Sequence, residues 1–453
     1  MLIASLIIVV IALVFATAKL RMHPFLALLL AAFAMALAGG IAPKEAVSLI
    51  NDGFGSTLGY IGIVIALGTI IGVILERSGA AIVMAESIIR LLSDRFPNFT
   101  VSLIGYIVSI PVFCDSGYVI LNSLKNAMAK KTGISVVAMS VALATGLFAT
   151  HNFVPPTPGP IAAAANLDIA DSLGLVILVG LIVAAVTAIV GALWAGRYSK
   201  ANDEELLEQD PISEAVGEEI EEPEPDMTHR PSTLASFMPI IAPIALICLG
   251  SIASLATRDA VPGMLASTLI FLGQPVVALA IGVVFAFGLI KGNDRKDRFH
   301  QITVDGILLA APIILITGAG GAFGNVLRAT PLGDQLGTAL AGLGLGLLVP
   351  FIIAAALKSA QGSSTVALVT ASTLVAPLLP DLGLDSDMGR VLAVMAVGAG
   401  AMTVSHANDS FFWVVSQFSR MKVSTAYKAF TTATLLQGIS AIITIYLLGL
   451  ILV

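Results

Sequence analysis

The chain has 453 residues, of which 57% are hydrophobic and only 11% charged, with a mean hydropathy of +0.98. A soluble domain is about half apolar and about a quarter charged, so this composition indicates a polytopic membrane protein. Two cysteines, Cys114 and Cys248, exclude a disulfide framework and a cysteine-rich metal site, and nothing in the net charge of −6 resembles a nucleic-acid footprint.

The first apolar run, Met1 to Ala18, ends in Ala16-Thr17-Ala18, which superficially matches a signal-peptide cleavage site. No positive charge precedes it, and Lys19 and Arg21 follow, so the run is expected to be a retained span that starts outside. Further spans are expected at Pro24–Ala42, Leu58–Leu75, Thr100–Leu124, Ile134–Thr150 and Leu173–Trp194. Between Ala201 and Asp226 stand 12 Asp and Glu and no Lys or Arg, while the remainder of the chain holds 17 acids against 23 bases. That acidic stretch reads as a solvated linker joining two membrane halves. Beyond it, apolar runs recur at Phe237–Leu255, Met264–Ile290, Ile307–Leu327, Gly344–Thr373, Val391–Val404 and Phe430–Leu450. The expected domains are residues 1–199, a linker 200–235, and residues 236–453.

Basic residues orient these spans, because cytoplasmic loops are enriched in Lys and Arg. The clusters at Lys19 and Arg21, Arg77 to Arg95, Lys125 to Lys131, Arg197 and Lys200, Lys291 to Arg298, and Arg420 to Lys428 can share the cytoplasm on one condition. Thr100–Leu124 must enter the membrane and return on the same side. Val101 to Phe113 is 13 residues, about 20 Å of helix against a hydrocarbon core of about 30 Å. The plainer reading is one ordinary span with an aspartate at its centre. The charge pattern favours a re-entrant hairpin with "FCDSGY" at its tip. Each half then has five crossings and one hairpin, and an odd number of crossings inverts the second half relative to the first.

Internal similarity supports a repeat. "LGTIIGVILERSG" resembles "GAGGAFGNVLRATPLG", with Gly68 and Gly72 matching Gly320 and Gly324 at an offset of 252. In the same order, "CDSG" meets "SAQGSST" and "THN" meets "SHAND". The expected fold is therefore an all-α polytopic membrane protein of two inverted repeats with helices interrupted near the midplane. The termini lie outside and the linker in the cytoplasm.

Polar groups are expensive inside a membrane, and non-helical backbone is tolerated there only within protein or around water. Four stretches qualify. At the first hairpin tip, Asp115 can take a proton or cation, or simply cap the returning helix, and the amides of Ser116 and Gly117 suit an anion. In the second half, Gly362, Ser363, Ser364 and Thr365 form a small-residue turn able to cradle a carboxylate or hydroxyls, flanked by Lys358 and Gln361. "FATHNFVPPTPGP" breaks a helix with four prolines and exposes His151, Asn152 and Thr157. "SHANDSFFW" is its counterpart and offers His406, Asn408 and Asp409. Asp115, His151, His406 and Asp409 are the candidate proton carriers, and the remaining residues are candidate substrate ligands. Of the other charges, Glu76 can snorkel at a span end, Arg328 can attract an anion, and Asp305 is read as a helix cap. His23, His229 and His300 sit in polar junctions.

No G-x-x-x-x-G-K-[ST] loop is present, so ATP does not power transport on this chain. Neither H-E-x-x-H nor G-x-S-x-G occurs, which argues against a membrane hydrolase, and no Cys/His spacing suits zinc. No cofactor and no metal are expected.

The strings "VFCDSGYVIL", "THNFVPPTPGPIAAAANL", "GAGGAFGNVLRATPLG", "ALKSAQGSSTVALVTAS" and "SHANDSFFWVVSQF" resemble the gluconate:proton symporter family, or GntP-type permeases. The likeness spans most of both halves. It implies a bacterial inner-membrane carrier that takes up gluconate or a similar small hydroxylated carboxylate with protons. It also implies membership of the wider ion-transporter superfamily, whose members are typically homodimers that work by elevator-like movement. D-serine and other hydroxy-acid carriers share these motifs, and a passive anion channel is the more distant alternative. The long acidic linker departs from the family pattern and leaves regulation open.

Overall fold

Helix starts fall where proline or a capping side chain places them. The computed structural model describes residues 2–20, 22–92, 96–207, 230–257, 263–292, 294–330, 345–406 and 409–452. Among these the regular structure is helical, apart from one isolated bridge between Leu207 and Met421. The first half contains α1 (Leu2–Ala18), α2 (Pro24–Ala38), α3 (Pro43–Arg77), α4 (Ala80–Leu92), α5 (Pro97–Val108), α6 (Cys114–Thr132), α7 (Val136–Phe153), α8 (Pro158–Asn166) and α9 (Leu173–Ala195). The second contains α10 (Thr233–Ala256), α11 (Met264–Leu272), α12 (Pro275–Phe287), α13 (Arg295–Arg328), α14 (Leu348–Gln361), α15 (Ser364–Val375), α16 (Asp387–Met402), α17 (Ser410–Phe418) and α18 (Thr432–Leu452). Pro24, Pro43, Pro97, Pro158 and Pro275 stand in the first turn of their helices, where a missing N–H breaks no bond. His23, one of the junction histidines, caps α2 by accepting from the Phe25 amide at 3.3 Å.

Several boundaries differ from those expected. α3 starts at Pro43 rather than near Leu58, and α13 at Arg295 rather than Ile307. Both helices open with polar residues, which hydropathy leaves out of a span although nothing in them stops a helix. Asp305 therefore does not cap a helix start. It lies inside α13 and pairs with Arg77 of α3 at 3.3 Å. The run Met264–Ile290 is bent by 67° between α11 and α12. In Thr100–Leu124 the break falls at residues 109–113, around Pro111, and "CDSG" forms the first turn of α6 rather than the tip. Helix α4 carries Glu86 and Arg90, and α8 and α17 have only nine residues each, so none of the three stands out as an apolar span by itself. By length and apolarity, five described helical stretches can cross a membrane, or seven if each bent pair is one span. His300 is exposed on α13; His229 and the core of the linker lie outside the described residues.

The helices recur in the same order in the two halves. α3 and α13 have 35 and 34 residues, and they form the most extensive helix contact in the chain. Pairs α5–α6 and α14–α15 each surround a break, α7–α8 and α16–α17 each surround another, and α9 and α18 close each series. Neighbour relations recur as well. α5 packs on α7 and α7 on α9; α14 packs on α16 and α16 on α18. Across the halves the contacts are exchanged, with α6 against α17 and α15 against α8. The breaks of both halves thereby meet in one interior.

Gly72, one of the repeated glycines, lets the first break rest on α3. A Cβ built there would lie 2.5 Å from the Pro111 carbonyl oxygen. Gly72→Val must therefore push this break off α3, at a cost of roughly 1–3 kcal/mol. The expected outcome is a lower melting temperature for the detergent-solubilised variant. Gly59→Ala, at a position with nothing within 4 Å, should leave it unchanged.

Candidate functional site

Lys358, on the last turn of α14, is 0% exposed, and its Nζ lies 2.5 Å from Oδ2 of Asp409, which is 4% exposed. The same Nζ donates to the Gly362 carbonyl, one residue past the helix end. Gly362 adopts φ +90, a conformation open to glycine, and this turns the chain so that the carbonyl faces the lysine. Asp409 is held from three directions. Its Oδ2 also accepts from the Ser405 hydroxyl, and its Oδ1 accepts from the Phe411 amide at 3.1 Å, so it caps α17. The ammonium and carboxylate are thus desolvated together, with two acceptors on Lys358 and three donors on Asp409.

The other breaks close around this pair. The Phe148 ring of α7 lies 5.8 Å from Lys358 Nζ and stacks on His151 with 6.5 Å between centroids. His151 is buried within the electrostatic field of both Asp409 and Lys358, and its Nδ1 has no protein partner. Asp115, in the first turn of α6, senses the Asp409 charge and accepts from the Cys114 thiol at 3.6 Å. Its Oδ1 is buried without a partner. His406 donates from Nε2 to the Ser359 carbonyl at 3.1 Å and so ties the second helix interruption to α14. Asp115, His151, Lys358, Gly362, His406 and Asp409 are therefore brought together from all four breaks.

Other candidates serve the backbone. Asn152 donates to the Phe148 carbonyl at 2.8 Å but keeps a buried, unpartnered Oδ1. Thr157 donates to the Val154 carbonyl at 2.6 Å within the proline break. Ser363 caps α15 by accepting from the Val366 amide at 3.3 Å, and Ser364 and Thr365 form the turn that follows. Ser116 is half-buried in the first turn of α6, and Gly117 packs beside Leu147. Gln361 ends α14, but its side chain, like that of Arg328 and the whole of Asn408, lies outside the described residues. Glu76 is buried near the end of α3, away from these breaks in sequence.

Sequence reasoning treated Lys358 and Asp409 as separate functional groups and missed their pairing, which depends on a contact 51 positions apart. Thr150, which the sequence offers beside His151 ahead of the proline break, has a buried hydroxyl without a protein partner. A second polar feature went unread as well. A cavity of about 300 Å3 lies between α3, α13, α8 and α15, lined among others by Thr57, Asn166, Asn325 and Thr373. Asn166 reaches across the halves, donating to the Val369 carbonyl and to the hydroxyls of Ser372 and Thr373. The available signal was a lone asparagine closing the apolar run "IAAAAN".

Known proteins resemble the chain over its length. A family model described as GntP family permease matches residues 1–451. A gluconate permease of Pseudomonas aeruginosa is 32% identical over 449 residues, covering 98% of this chain and 96% of the relative. The D-serine transporter DsdX of Escherichia coli K12 is 33% identical over 455 residues, covering 99% and 98%. Among solved structures, the YdaH transporter of Alcanivorax borkumensis matches with a TM-score of 0.65 at 16% identity, over 95% of this chain and 99% of that one.

Breaking one side of a buried ion pair costs about 3–5 kcal/mol, because the remaining charge is left uncompensated. Lys358→Met should accordingly lower the melting temperature of the purified protein sharply. The double variant Lys358→Met with Asp409→Asn should recover much of that loss. Independent, additive losses would show that the two charges are not coupled.

Proposed function

The chain belongs to the GntP permease family, and from that premise we propose that it carries a small hydroxylated carboxylate, gluconate or a close relative, across the bacterial inner membrane together with a proton. It is a transporter and not an enzyme, and as a multi-pass protein it meets its substrate within the bilayer. The single observation that carries the reading is the buried Lys358–Asp409 pair at the meeting point of the four breaks.

The pair suggests how anion and proton are coupled. In the substrate-free site, Lys358 and Asp409 neutralise each other. A substrate carboxylate competes with Asp409 for the ammonium and the Gly362–Thr365 turn. If Asp409 takes up a proton as the substrate arrives, Lys358 is released to the new carboxylate and the site stays neutral. Substrate without the proton leaves two carboxylates on one ammonium, and the proton without substrate leaves the ammonium unpaired. Both half-loaded states are penalised by burial, so substrate and proton bind and leave together. Asn152 Oδ1, the Thr150 hydroxyl and His151 Nδ1 are buried without a protein partner and suit substrate hydroxyls, and Thr157, Asn408 and Gln361 remain candidates from the sequence.

Movement follows from the grouping of contacts. The long helices α3 and α13 pack on each other and on α2 and α12, whereas the four breaks around the ion pair belong to α5–α9 or α14–α18. In this reading the first group is a scaffold, held as a homodimer, and the second carries the site past it as an elevator. The cavity lined by Asn166 and Asn325 lies between the groups and gives the substrate a polar approach. The two halves are inverted repeats joined by a cytoplasmic acidic linker.

A second reading, D-serine or another amino acid as substrate, is favoured by one feature. Asp115 presents an unpartnered carboxylate oxygen close to the pair, and a substrate ammonium would complete it.

Purified protein in liposomes should accumulate labelled gluconate when the outside is made acidic, with one proton entering per anion. Because the loaded site is neutral, an imposed membrane potential should not change that uptake. Apparent affinity should rise as pH falls, since protonated Asp409 is the binding form, and Asp409→Asn should bind with little pH dependence. Uptake that follows sodium and ignores pH would sink the proton assignment. Transport of D-serine without gluconate would select the second reading.

A further inference from the structure

Lys125 belongs to no part of the site above, yet it is only 1% exposed. A buried ammonium ordinarily requires a carboxylate, because an isolated charge is expensive to desolvate. Among the described residues none lies within 4.0 Å of this one. Its Nζ donates instead to Ser140 Oγ on α7 and to Ser419 Oγ just after α17, each at 3.0 Å. The Tyr118 ring lies 5.3 Å away. Helices α5, α7 and α17, all packed on α6, contain no acidic residue. Glu86 of α4 pairs with Arg90 and Arg230.

Lys125 ends a row. Asp115, Tyr118, Asn122 and Lys125 follow one another at intervals of three, four and three, which places them on one face of α6. The Tyr118 hydroxyl lies 2.5 Å from Ser419 Oγ, which also accepts from Lys125, so tyrosine, serine and lysine form one hydrogen-bonded chain. Asn122 Oδ1 and Asp115 Oδ1 are buried acceptors without a protein partner. The row covers about 15 Å of helix and starts beside the Lys358–Asp409 pair. It points toward the exposed Lys130 and Lys131, the end that the charge pattern assigns to the cytoplasm.

We propose that Lys125 relays the coupled proton between the central site and the cytoplasm, an inference that rests on the proton-coupled transport proposed above. Asp115 receives the proton from Asp409 and passes it along the Tyr118–Ser419 hydroxyls to the Lys125 amine. Lys125 then releases it at the cytoplasmic end of α6, so one proton enters and one leaves in each cycle. An amine held only by hydroxyls can exist charged or neutral, whereas a carboxylate partner would lock it in the charged form. Arginine would keep the charge and the hydrogen bonds but could not give up the proton.

The experiment separates net transport from exchange. Proteoliposomes of wild type, Lys125→Met, Lys125→Arg and Tyr118→Phe are compared in two assays with labelled gluconate and labelled D-serine. One is accumulation driven by external acid; the other is exchange against internal unlabelled substrate at equal pH, which requires no net proton release. Both lysine variants should lose accumulation by about tenfold or more, as for removal of a proton-transfer group, while exchange remains near wild type. Tyr118→Phe should show a smaller loss of the same kind. Full accumulation by Lys125→Arg would overturn the relay and leave only a need for positive charge. Parallel loss of exchange and accumulation in both lysine variants would also overturn it and assign Lys125 to structure. Wild-type accumulation that ignores pH would remove the symport reading itself, an outcome separable from failure of the relay alone.

Discussion

Burying an ammonium and a carboxylate in an apolar interior is favourable only when their geometry and their hydrogen bonds are both completed. The Lys358–Asp409 pair meets that condition by recruiting backbone as well as side chains, and the surrounding architecture follows from the requirement. Gly362 must end α14 so that its carbonyl turns back to the lysine. Asp409 must sit ahead of α17 so that the Phe411 amide is free to donate. An unbroken helix provides neither group, because its carbonyls and amides are already engaged within it. The interruptions in α14–α15 and α16–α17 are therefore what make a charged site possible at this depth.

An interruption creates its own difficulty, since unpaired backbone groups inside a membrane must find partners. Each break resolves this with a short polar side chain close by. Ser109 donates to the Val112 carbonyl, Thr157 to Val154 and Asn152 to Phe148, Ser363 accepts from the Val366 amide, and Thr434 accepts from the Ser405 amide. Much of the polarity that marks these stretches in the sequence is thus structural in the first instance. What remains for chemistry is the smaller set with free atoms: Asp115 Oδ1, His151 Nδ1, Asn152 Oδ1 and the Thr150 hydroxyl. Asn152 belongs to both sets, with its amide nitrogen on the backbone and its oxygen uncommitted.

This division explains how far the sequence could be read. Apolar runs located α1 and α9 almost to the residue, because hydropathy and helix ends coincide there. They failed for α3 and α13, whose first turns are charged, and for α8 and α17, which are nine residues each. Proline and histidine in an apolar context exposed the breaks, since both are costly without a purpose. Pairing was beyond reach. Nothing local in "ALKSAQG" states that its lysine meets an aspartate in "SHAND", and nothing in "NSLKNAMAKK" separates the buried Lys125 from the exposed Lys130. Only tertiary contacts, within one half for Lys358 and both within and between halves for Lys125, decide those questions.

The two halves share an arrangement but not their charges. Lys358 and Asp409 both belong to the second half, and the first half answers with Asp115, Phe148 and His151 but, among the described residues, no cation paired with Asp409. The helices that leave the centre differ in the same way. α6 carries a row that ends in Lys125, held by hydroxyls. Its counterpart α15 carries Thr370, Ser372 and Thr373 and opens beside Asn166 onto a cavity of about 300 Å3. In the proposed inverted arrangement these helices lead to opposite faces of the membrane. A shared arrangement thus brings two helices to one centre, and unequal side chains leave one bound up in hydrogen bonds and the other beside a polar cavity.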